Sequence, residues 1–293
     1  MGFFERLFGE GGPGTTTREV AGDTGIEVRT PPQVPIPLRR RSFESPIPIS
    51  PQEEVLDSRD TSSERPIGAG VTKSRFLEIV DDGKAVFKTV DFPEERAAYL
   101  VDLFLGFGLV PTTVIRELRG EVGSVQEFIS GTKSGFEFSK EVVAREYPDQ
   151  LMKLWVFDLI IANKDRHSGN FLIKDGKMYA IDHGRTFGWS DNSSAASGRT
   201  STFGENVNTR GSYLNSSFYP QNFDRPIPQD VVLKLKEFMT KTSEQSILEN
   251  LLAELIGQKH AEMAIKRILA IGAFVVEHGI IPPEMYEAIK IPQ

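Results

Sequence analysis

Two carboxylates and one amide oxygen stand close together in a short polar stretch of the sequence. Asp165 lies five residues before Asn170, and Asp182 follows twelve residues after Asn170. Oxygen ligands of this kind suit Mg²⁺, which binds one or two carboxylates and retains waters and substrate phosphates. Phosphoryl transfer needs such metal ligands, a positioned acceptor hydroxyl and a carboxylate near its proton. The pattern predicts a phosphoryl-transfer site, with Asn170 and Asp182 as metal ligands and Asp165 as the catalytic carboxylate.

A predicted β-hairpin brings two of these residues to the same place. Asp175-Gly176 is a typical two-residue turn, which would pair the lysines on either side of it. Counting outward along the paired strands sets Asn170 opposite Ile181, one step from Asp182. We therefore expect Asn170 and Asp182 at the same end of the hairpin.

Strands precede this stretch and helices follow it, which predicts an α+β fold with a β-rich N-lobe and a mainly helical C-lobe. Alternating apolar residues, turn residues and helix-start signals support this division. The predicted strands are 76–80, 84–90, 110–118 and 122–129, with an Asp82-Gly83 turn between the first two. One predicted helix begins at Pro93 and another covers 147–161. The chain after residue 229 is predicted to be helical.

The first 66 residues differ in composition from the rest of the chain. They hold nine of the 18 prolines and no lysine. Such a segment buries too little apolar surface to offset the entropy of ordering it. We predict a disordered, proline-rich tail over residues 1–66, followed by a catalytic domain over 67–293 with lobes at about 67–130 and 131–293. Residues 3–8 could form a short amphipathic helix, either an anchor for a partner or membrane surface or a frayed end.

Composition excludes several classes of protein. The absence of cysteine excludes disulfide scaffolds, thiol nucleophiles and cysteine-ligated metal sites. A net charge of −7 and a pI near 5.3 argue against nucleic acid as a partner. No stretch is apolar enough over the ~20 residues that a membrane span needs. We expect a cytoplasmic protein, with residues 3–8 as the candidate contact to a membrane.

The polar stretch resembles the catalytic and metal-binding loops of phosphatidylinositol 3-/4-kinase-like and related atypical kinases. The resemblance lies in Asp165-Arg-His-x-x-Asn170 and, after the hairpin, Ile181-Asp182-x-Gly184. The segment from Asp182 to Gly188 is also similar to that of secretory-pathway kinases and of small bacterial kinase-like proteins of the HipA type. The resemblance implies a bilobal protein-kinase-like fold that uses ATP and Mg²⁺.

The resemblance also implies a lysine and an acid in the N-lobe. Lys88, on a predicted strand, would reach the ATP phosphates, and Val86 on the same strand face would contact adenine. Glu95, in the first turn of a helix, would hold Lys88, with Glu94 as the less favoured choice.

Two backbone segments complete the nucleotide site that the resemblance implies. A small-residue loop before the first strand would cover the phosphates, and a hinge between the lobes would bind adenine through its backbone. The loop candidates are Gly70, Val71, Thr72, Lys73 and Ser74, and the hinge candidates are Glu127, Phe128 and Ile129.

The acceptor and the exact reaction stay open at this level. The acceptor would be a hydroxyl of a protein, a phosphatidylinositol or a small molecule; basic residues after Gly184 are scattered, which favours a protein or small molecule over a lipid. One alternative is a nucleotide-binding pseudokinase or adaptor that presents its tail to a partner. Another is transfer of AMP by the same fold. His183 stands where many kinases carry an aromatic residue.

Overall fold

The computed structural model describes residues 50–67, 74–80, 83–187 and 225–281. The predicted amphipathic segment at residues 3–8, the tail up to residue 49 and the phosphate loop at 68–73 lie outside them. The described helices are α1 Pro51–Ser58, α2 Phe92–Leu105, α3 Lys140–Glu146, α4 Pro148–Ile160, α5 Gln229–Thr240, α6 Thr242–Ile256 and α7 Gln258–His278. The strands are β1 Thr61–Pro66, β2 Ser74–Ile79, β3 Gly83–Lys88, β4 Thr113–Leu118, β5 Glu121–Glu127, β6 Lys133–Ser134, β7 Phe171–Lys174 and β8 Lys177–Ala180. Short 3-10 turns cover Gly135–Glu137 and Ser168–Asn170.

The N-lobe is an antiparallel sheet with the strand order β1-β2-β3-β5-β4, covered by helix α2. Buried and less buried side chains alternate on strand β3, as the period of a half-buried strand requires. The apolar core of the N-lobe combines side chains of strands β2 to β5 with one leucine of helix α1; its members are Leu56, Leu77, Ile79, Ala85, Phe87, Val114 and Val125.

The C-lobe is built around helix α4, whose side chains are buried from Leu151 to Ile160. Helix α7 packs against α4, α5 and α6, and the small antiparallel sheet β6-β7-β8 lies at the edge of this bundle. The predicted α+β, bilobal architecture is confirmed. Among the described helices, none has the length and apolar character needed to cross a bilayer.

The prediction of a disordered tail up to residue 66 is wrong for residues 50–66. Helix α1 begins with a capping box, in which Ser50 Oγ accepts from Glu53 N–H and the Glu53 carboxylate accepts from Ser50 N–H. Strand β1 then pairs antiparallel with β2 at the edge of the sheet. The mean composition of residues 1–66 did not reveal this segment, because its capping box is a local signal and its two buried residues, Glu53 and Leu56, depend on distant partners.

Gly83 does not belong to the turn that was predicted at Asp82-Gly83, of which Asp82 lies outside the described residues. Gly83 is the first residue of strand β3 and pairs with Ile79, so the connection between β2 and β3 consists of residues 80–82. A Cβ at Gly83 would lie 2.9 Å from Ile79 Cβ. The glycine is therefore required by close packing between the strands and not by the turn itself.

Asp102, in helix α2, closes the loop that follows this helix. Its carboxylate accepts hydrogen bonds from the backbone N–H groups of Leu109 (3.0 Å) and Val110 (3.2 Å), and the residue is buried. Burial raises the pKa of Asp102 to about 6, because these N–H groups and nearby lysines offset only part of the desolvation. The folded protein therefore binds a proton on Asp102 more tightly than the unfolded chain does.

We expect this carboxyl to make the free energy of unfolding decrease as the pH rises. Its contribution is fully present below the ordinary pKa of 3.8 and is lost as the pH rises through about 6. A shift of this size corresponds to on the order of 2 kcal/mol. Urea unfolding of the wild type and Asp102→Asn at about pH 4 and about pH 7 measures it. The difference between the two proteins should change by this amount, and a pH-independent difference would contradict the assignment.

Candidate active site

Lys88 and Val86 share the face of strand β3 that points away from the N-lobe core. Ala85 and Phe87, which alternate with them, are fully buried in that core. The strand face predicted for Lys88 and Val86 is thus the face that the structure shows. The lysine stands at the end of β3, where its Cα partner on strand β2 is Ser74.

The predicted lysine, helix acid and metal-loop acid meet at one point. Lys88 Nζ lies 2.6 Å from Glu95 Oε1 and 3.1 Å from Asp182 Oδ1. Glu95 is buried in the first turn of helix α2, whereas the side chain of Asp182 is half exposed. The contact with Lys88 is made by Glu95 and not by Glu94. Burial and the neighbouring charges of Asp91 and Glu95 raise the pKa of Glu94 to about 7.

Charge pairing keeps this cluster ionised. Burial alone would lower the pKa of Lys88, but the carboxylates of Glu95 and Asp182 raise it above its ordinary value. Burial would likewise raise the pKa of Glu95, but Lys88 and His183 hold it well below its usual range. Asp182 interacts electrostatically with both Lys88 and Asp165, and we call the site that these three residues form the cleft. A positive Nζ in this cleft is suited to bind phosphate oxygens.

Two buried residues shape the catalytic loop. Arg166 donates from Nε to Asp158 Oδ2 and from Nη2 to Asp158 Oδ1, each at 2.9 Å, and both residues are buried. Asn163 Nδ2 also donates to Asp158, at 2.9 Å. Arg166 Nη1 donates in turn to the carbonyl oxygens of Asn170 and Ile181. One guanidinium therefore joins helix α4, Asn170 at the end of the catalytic loop, and Ile181, the residue that follows strand β8.

The hairpin has the predicted register. Lys174 pairs with Lys177, and Ile181 N–H donates to Asn170 O at 3.1 Å. Asn170 therefore lies next to Ile181, the residue before Asp182, as the predicted two-residue turn requires.

Hydrogen bonds of its backbone hold Asp165 in place, and its carboxylate is partly exposed at the cleft. Its N–H donates to Asn163 Oδ1 (2.9 Å), and its carbonyl oxygen accepts from Asn170 Nδ2 (2.7 Å). The side chain is 31% exposed and lies 3.8 Å from Arg185 Nη1. Partial burial raises the pKa of Asp165, and the positive charge of Arg185 opposes this rise.

His183 fills the position in which a packing aromatic was expected. Its ring is fully buried and packs edge-on against Phe157, with ring centroids 6.0 Å apart. Nδ1 lies 3.4 Å from Glu95 Oε2, and burial lowers the pKa of the imidazole. The residue next to Asp182 thus packs on the C-lobe core while it contacts the acid that holds Lys88.

Gly184 permits a close contact between the metal loop and the start of helix α2. A Cβ at Gly184 would lie 2.8 Å from Asp91 Cβ and 2.9 Å from Asp91 Oδ2. Asp91 is the N-cap of α2 and has a left-handed backbone, with φ of 53°. The loop and the helix that carries Glu95 can approach this closely only while residue 184 lacks a side chain.

We expect Gly184→Ala to separate these two elements and to lower stability by roughly 1–3 kcal/mol, the usual cost of overpacking. The phosphate-transfer rate should fall by more than the loss of folded protein explains, because the positions of Lys88, Glu95 and Asp182 depend on the same contact. Thermal unfolding and phosphate-transfer rates measure both effects. Asp91→Gly removes the contact and suits a left-handed backbone, so it should restore the variant. Failure of the double variant to recover would show that the clash lies elsewhere.

The sheet already uses two backbone donors of the predicted hinge. Glu127 N–H donates to Thr112 O (2.8 Å) and Phe128 N–H to Lys84 O (2.9 Å). Adenine binding through these two N–H groups is therefore excluded. Adenine binding through the other backbone groups of Glu127, Phe128 and Ile129 stays a prediction, because chain position alone does not reveal which groups the neighbouring strands occupy.

The oxygen donors of Asn170 and Asp182 fit a magnesium ion whose other ligands are phosphate and water oxygens. Asn170 commits its amide nitrogen to Asp165 O, which leaves its oxygen Oδ1 for a cation. Asp182 supplies a half-exposed carboxylate. Within the ranges that the structure describes, no three His, Cys, Asp or Glu side chains converge on a metal position. Two protein ligands completed by phosphate and water are typical of magnesium sites in kinases.

Solved structures show the class of fold. The chain is similar to the Golgi casein kinase solved with Mn/ADP bound, with a TM-score of 0.50, 17% identity and coverage of 76% of this chain and 74% of that one. It is also similar to hydra Fam20 solved with sugar, with a TM-score of 0.51, 15% identity and coverage of 82% and 91%. The fold is therefore kinase-like and bilobal.

Sequence comparisons show a likeness to one family of kinases. Residues 113–201 match the family model of phosphatidylinositol 3- and 4-kinase. The chain is 32% identical over 144 residues to phosphatidylinositol 4-kinase gamma 3 of Arabidopsis thaliana, with coverage of 36% of this chain and 24% of that protein. The chain thus spans about a quarter of that relative's length. The resemblance to phosphatidylinositol 3-/4-kinase-like atypical kinases is confirmed.

Some residues near the site were not foreseen. Arg185 was counted only among the scattered arginines, yet its guanidinium lies beside Asp165. Glu53 and Arg96 form a buried ion pair behind Glu95, with a distance of 3.0 Å. The Ser50-x-x-Glu53 capping pattern was the available signal for that pair.

Proposed function

We propose that this chain is an ATP- and Mg²⁺-dependent phosphotransferase that moves the γ-phosphate of ATP to a hydroxyl group. The observation that carries the proposal is the position of Lys88 Nζ, 2.6 Å from Glu95 and 3.1 Å from Asp182. It brings a phosphate-binding cation and a metal-binding carboxylate together in the cleft of a kinase-like fold. The family match supports the same chemistry.

Each residue has a role that follows from its contacts. Lys88 binds phosphate oxygens, and Glu95 orients Lys88. Asn170 Oδ1 and the Asp182 carboxylate hold Mg²⁺, which when bound neutralises phosphate charge and orients the γ-phosphate. Asp165 orients the acceptor hydroxyl and takes its proton as the oxygen–phosphorus bond forms and ADP leaves.

The rest of the nucleotide site is proposed from its position in the chain. Residues 68–73, which include Gly70, Val71, Thr72 and Lys73, connect Ile67 to Ser74, and Ile67 N–H donates to Ser74 O. Ser74 is the partner of Lys88 across the sheet, so this connection ends beside the proposed phosphate-binding lysine. Val86, on the cleft face, and the Ile129 backbone are the proposed adenine contacts.

The acceptor is proposed as a hydroxyl of a protein, a phosphatidylinositol or a small molecule. The name of the plant relative favours the lipid, whereas the scattered arginines after Gly184 favour the other two. A cytoplasmic location, with residues 3–8 as a docking segment, belongs to the same proposal.

The test incubates the purified chain with Mg·ATP and a panel of protein, lipid and sugar acceptors. Intact-mass analysis should show a gain of ~80 Da on the acceptor or on the chain itself. Asp182→Ala and Lys88→Ala should abolish this gain. A gain of ~329 Da would indicate AMP transfer instead. Binding of Mg·ATP without transfer to any acceptor would favour a pseudokinase or adaptor.

A further inference from the structure

A buried ion pair connects helix α1 to the helix that carries Glu95. Glu53 Oε1, in helix α1, lies 3.0 Å from Arg96 Nη1, in helix α2. The exposed fraction is 2% for the Glu53 side chain and 10% for that of Arg96. Removing one partner of such a pair leaves the other charge buried without compensation, which is costly.

Arg96 ties helix α2 to two other elements. Its Nη1 donates to Thr113 O at the start of strand β4 as well as to Glu53. The guanidinium also lies over the ring of Tyr99, 5.1 Å from its centroid. These contacts fix the rotation of α2 from a side of the helix other than the one that carries Glu95.

Arg96 and Glu95 are consecutive residues, so they point about 100° apart around the helix. Glu95 points to Lys88 in the cleft, and Arg96 points to helix α1 and strand β4. A rotation of α2 that lengthened one set of contacts would therefore change the other. The outer contacts and the cleft contacts of this helix are mechanically linked.

Helix α1 is itself fixed at both ends. Its first turn is closed by Ser50 and Glu53, whose second carboxylate oxygen, Oε2, accepts from Ser50 N–H at 3.1 Å. At its other end, Arg116 of strand β4 donates to the carbonyl oxygens of Leu56 (3.3 Å) and Arg59 (2.7 Å). Leu56 is fully buried in the N-lobe core. The carboxylate of Glu53 is thus held on a fixed element.

We propose that residues 50–66 form an activating clamp, in which Glu53, acting through Arg96, positions Glu95 against Lys88. Glu53 and Arg96 are positioning residues: neither touches the cleft. The clamp rests on the proposed function, because its effect on catalysis exists only if Lys88 and Glu95 serve phosphate transfer. It also makes a structural prediction for helix α2 that does not depend on activity.

The experiment compares Glu53→Gln, Arg96→Gln and the double variant in the full chain. Glu53→Gln should lower the phosphate-transfer rate roughly tenfold, a typical effect of a coupled remote residue. In the Arg96→Gln background, Glu53→Gln should add little, because both variants act through one contact. An effect of Glu53→Gln that is undiminished in the Arg96→Gln background would overturn the proposal.

Two controls separate positioning from general destabilisation. Glu54→Gln removes the same charge from the same first turn of α1, but Glu54 is exposed, and the rate should not change. Leu56→Ala destabilises the N-lobe core without touching the ion pair. At temperatures where Leu56→Ala and Glu53→Gln are equally far below their unfolding midpoints, only Glu53→Gln should be slow. Equal rates in these two variants would reduce the clamp to a stability effect and overturn it.

Hydrogen exchange tests the clamp independently of activity. Glu53→Gln should lose amide protection in the first two turns of α2 around Glu95, whereas Glu54→Gln should keep it. Unchanged protection in Glu53→Gln would overturn the clamp even if the wild type transfers phosphate. A wild type without transfer activity, together with the loss of protection, would instead overturn the proposed function and leave the clamp supported.

Discussion

Asp165→Asn should lower kcat for phosphate transfer by about 10²–10⁴, the range expected for loss of a positioned acid–base group. The amide retains the shape of the side chain but cannot take the acceptor proton. The backbone contacts of residue 165, to Asn163 Oδ1 and Asn170 Nδ2, are independent of the side chain, so the loop should keep its geometry. The loss should therefore lie in chemistry and not in folding.

Binding of Mg·ATP provides the matching measurement. Lys88, Asn170 and Asp182 are unchanged in this variant, so the dissociation constant should stay within about threefold of the wild type. Asp175→Asn is the control: it makes the same change of charge in the exposed turn of the adjacent hairpin, where asparagine tolerates the left-handed backbone (φ 49°). A kcat for Asp165→Asn equal to that of the control would remove Asp165 from the reaction.

The contacts that were predictable from the sequence are local ones. Asn170 and Asp182 are joined by a two-residue turn, and a turn of that length fixes the register by itself. Lys88 and Glu95 are seven residues apart, at the end of a strand and the start of a helix. The turn rule was enough to place the first pair, whereas the second pair was implied by the family resemblance and is also short in range.

The contacts that were not predictable depend on distant partners. The N–H groups of Glu127 and Phe128 are used by carbonyls of Thr112 and Lys84, and only the full strand order shows this. Glu53 meets Arg96 across 43 residues, from a segment whose mean composition favours disorder. Tertiary packing outweighs average composition when a short helix can bury one side chain in an existing core.

The ion pair between Asp158 and Arg166 spans only eight residues, but it also fixes residues further along the chain. The structure shows a structural role for both residues. Four hydrogen bonds of one buried guanidinium join Asp158, the carbonyl of Asn170 and the carbonyl of Ile181. The residues that bind metal in the proposed function thus take their positions from a pair that never reaches the cleft.

Asp158→Asn should lower the free energy of unfolding by about 3–5 kcal/mol, because it leaves the buried Arg166 guanidinium without its counter-charge. The single oxygen of the asparagine amide can replace only one of the two carboxylate oxygens, so either Nε or Nη2 of Arg166 loses its acceptor and faces an NH₂ group. Urea unfolding measures the loss, and Asp149→Asn, on the exposed face of the same helix, gives the matched control.

Catalysis should be affected beyond this loss of stability. Without the carboxylate, Arg166 is free to turn away from the carbonyls of Asn170 and Ile181, and the spacing between Asn170 and Asp182 is no longer fixed. We therefore expect a weaker apparent affinity for Mg²⁺ in Asp158→Asn at temperatures where it remains folded, measured as the Mg²⁺ concentration that gives half-maximal transfer. An unchanged value would mean that Asp158 stabilises the C-lobe without positioning the metal ligands.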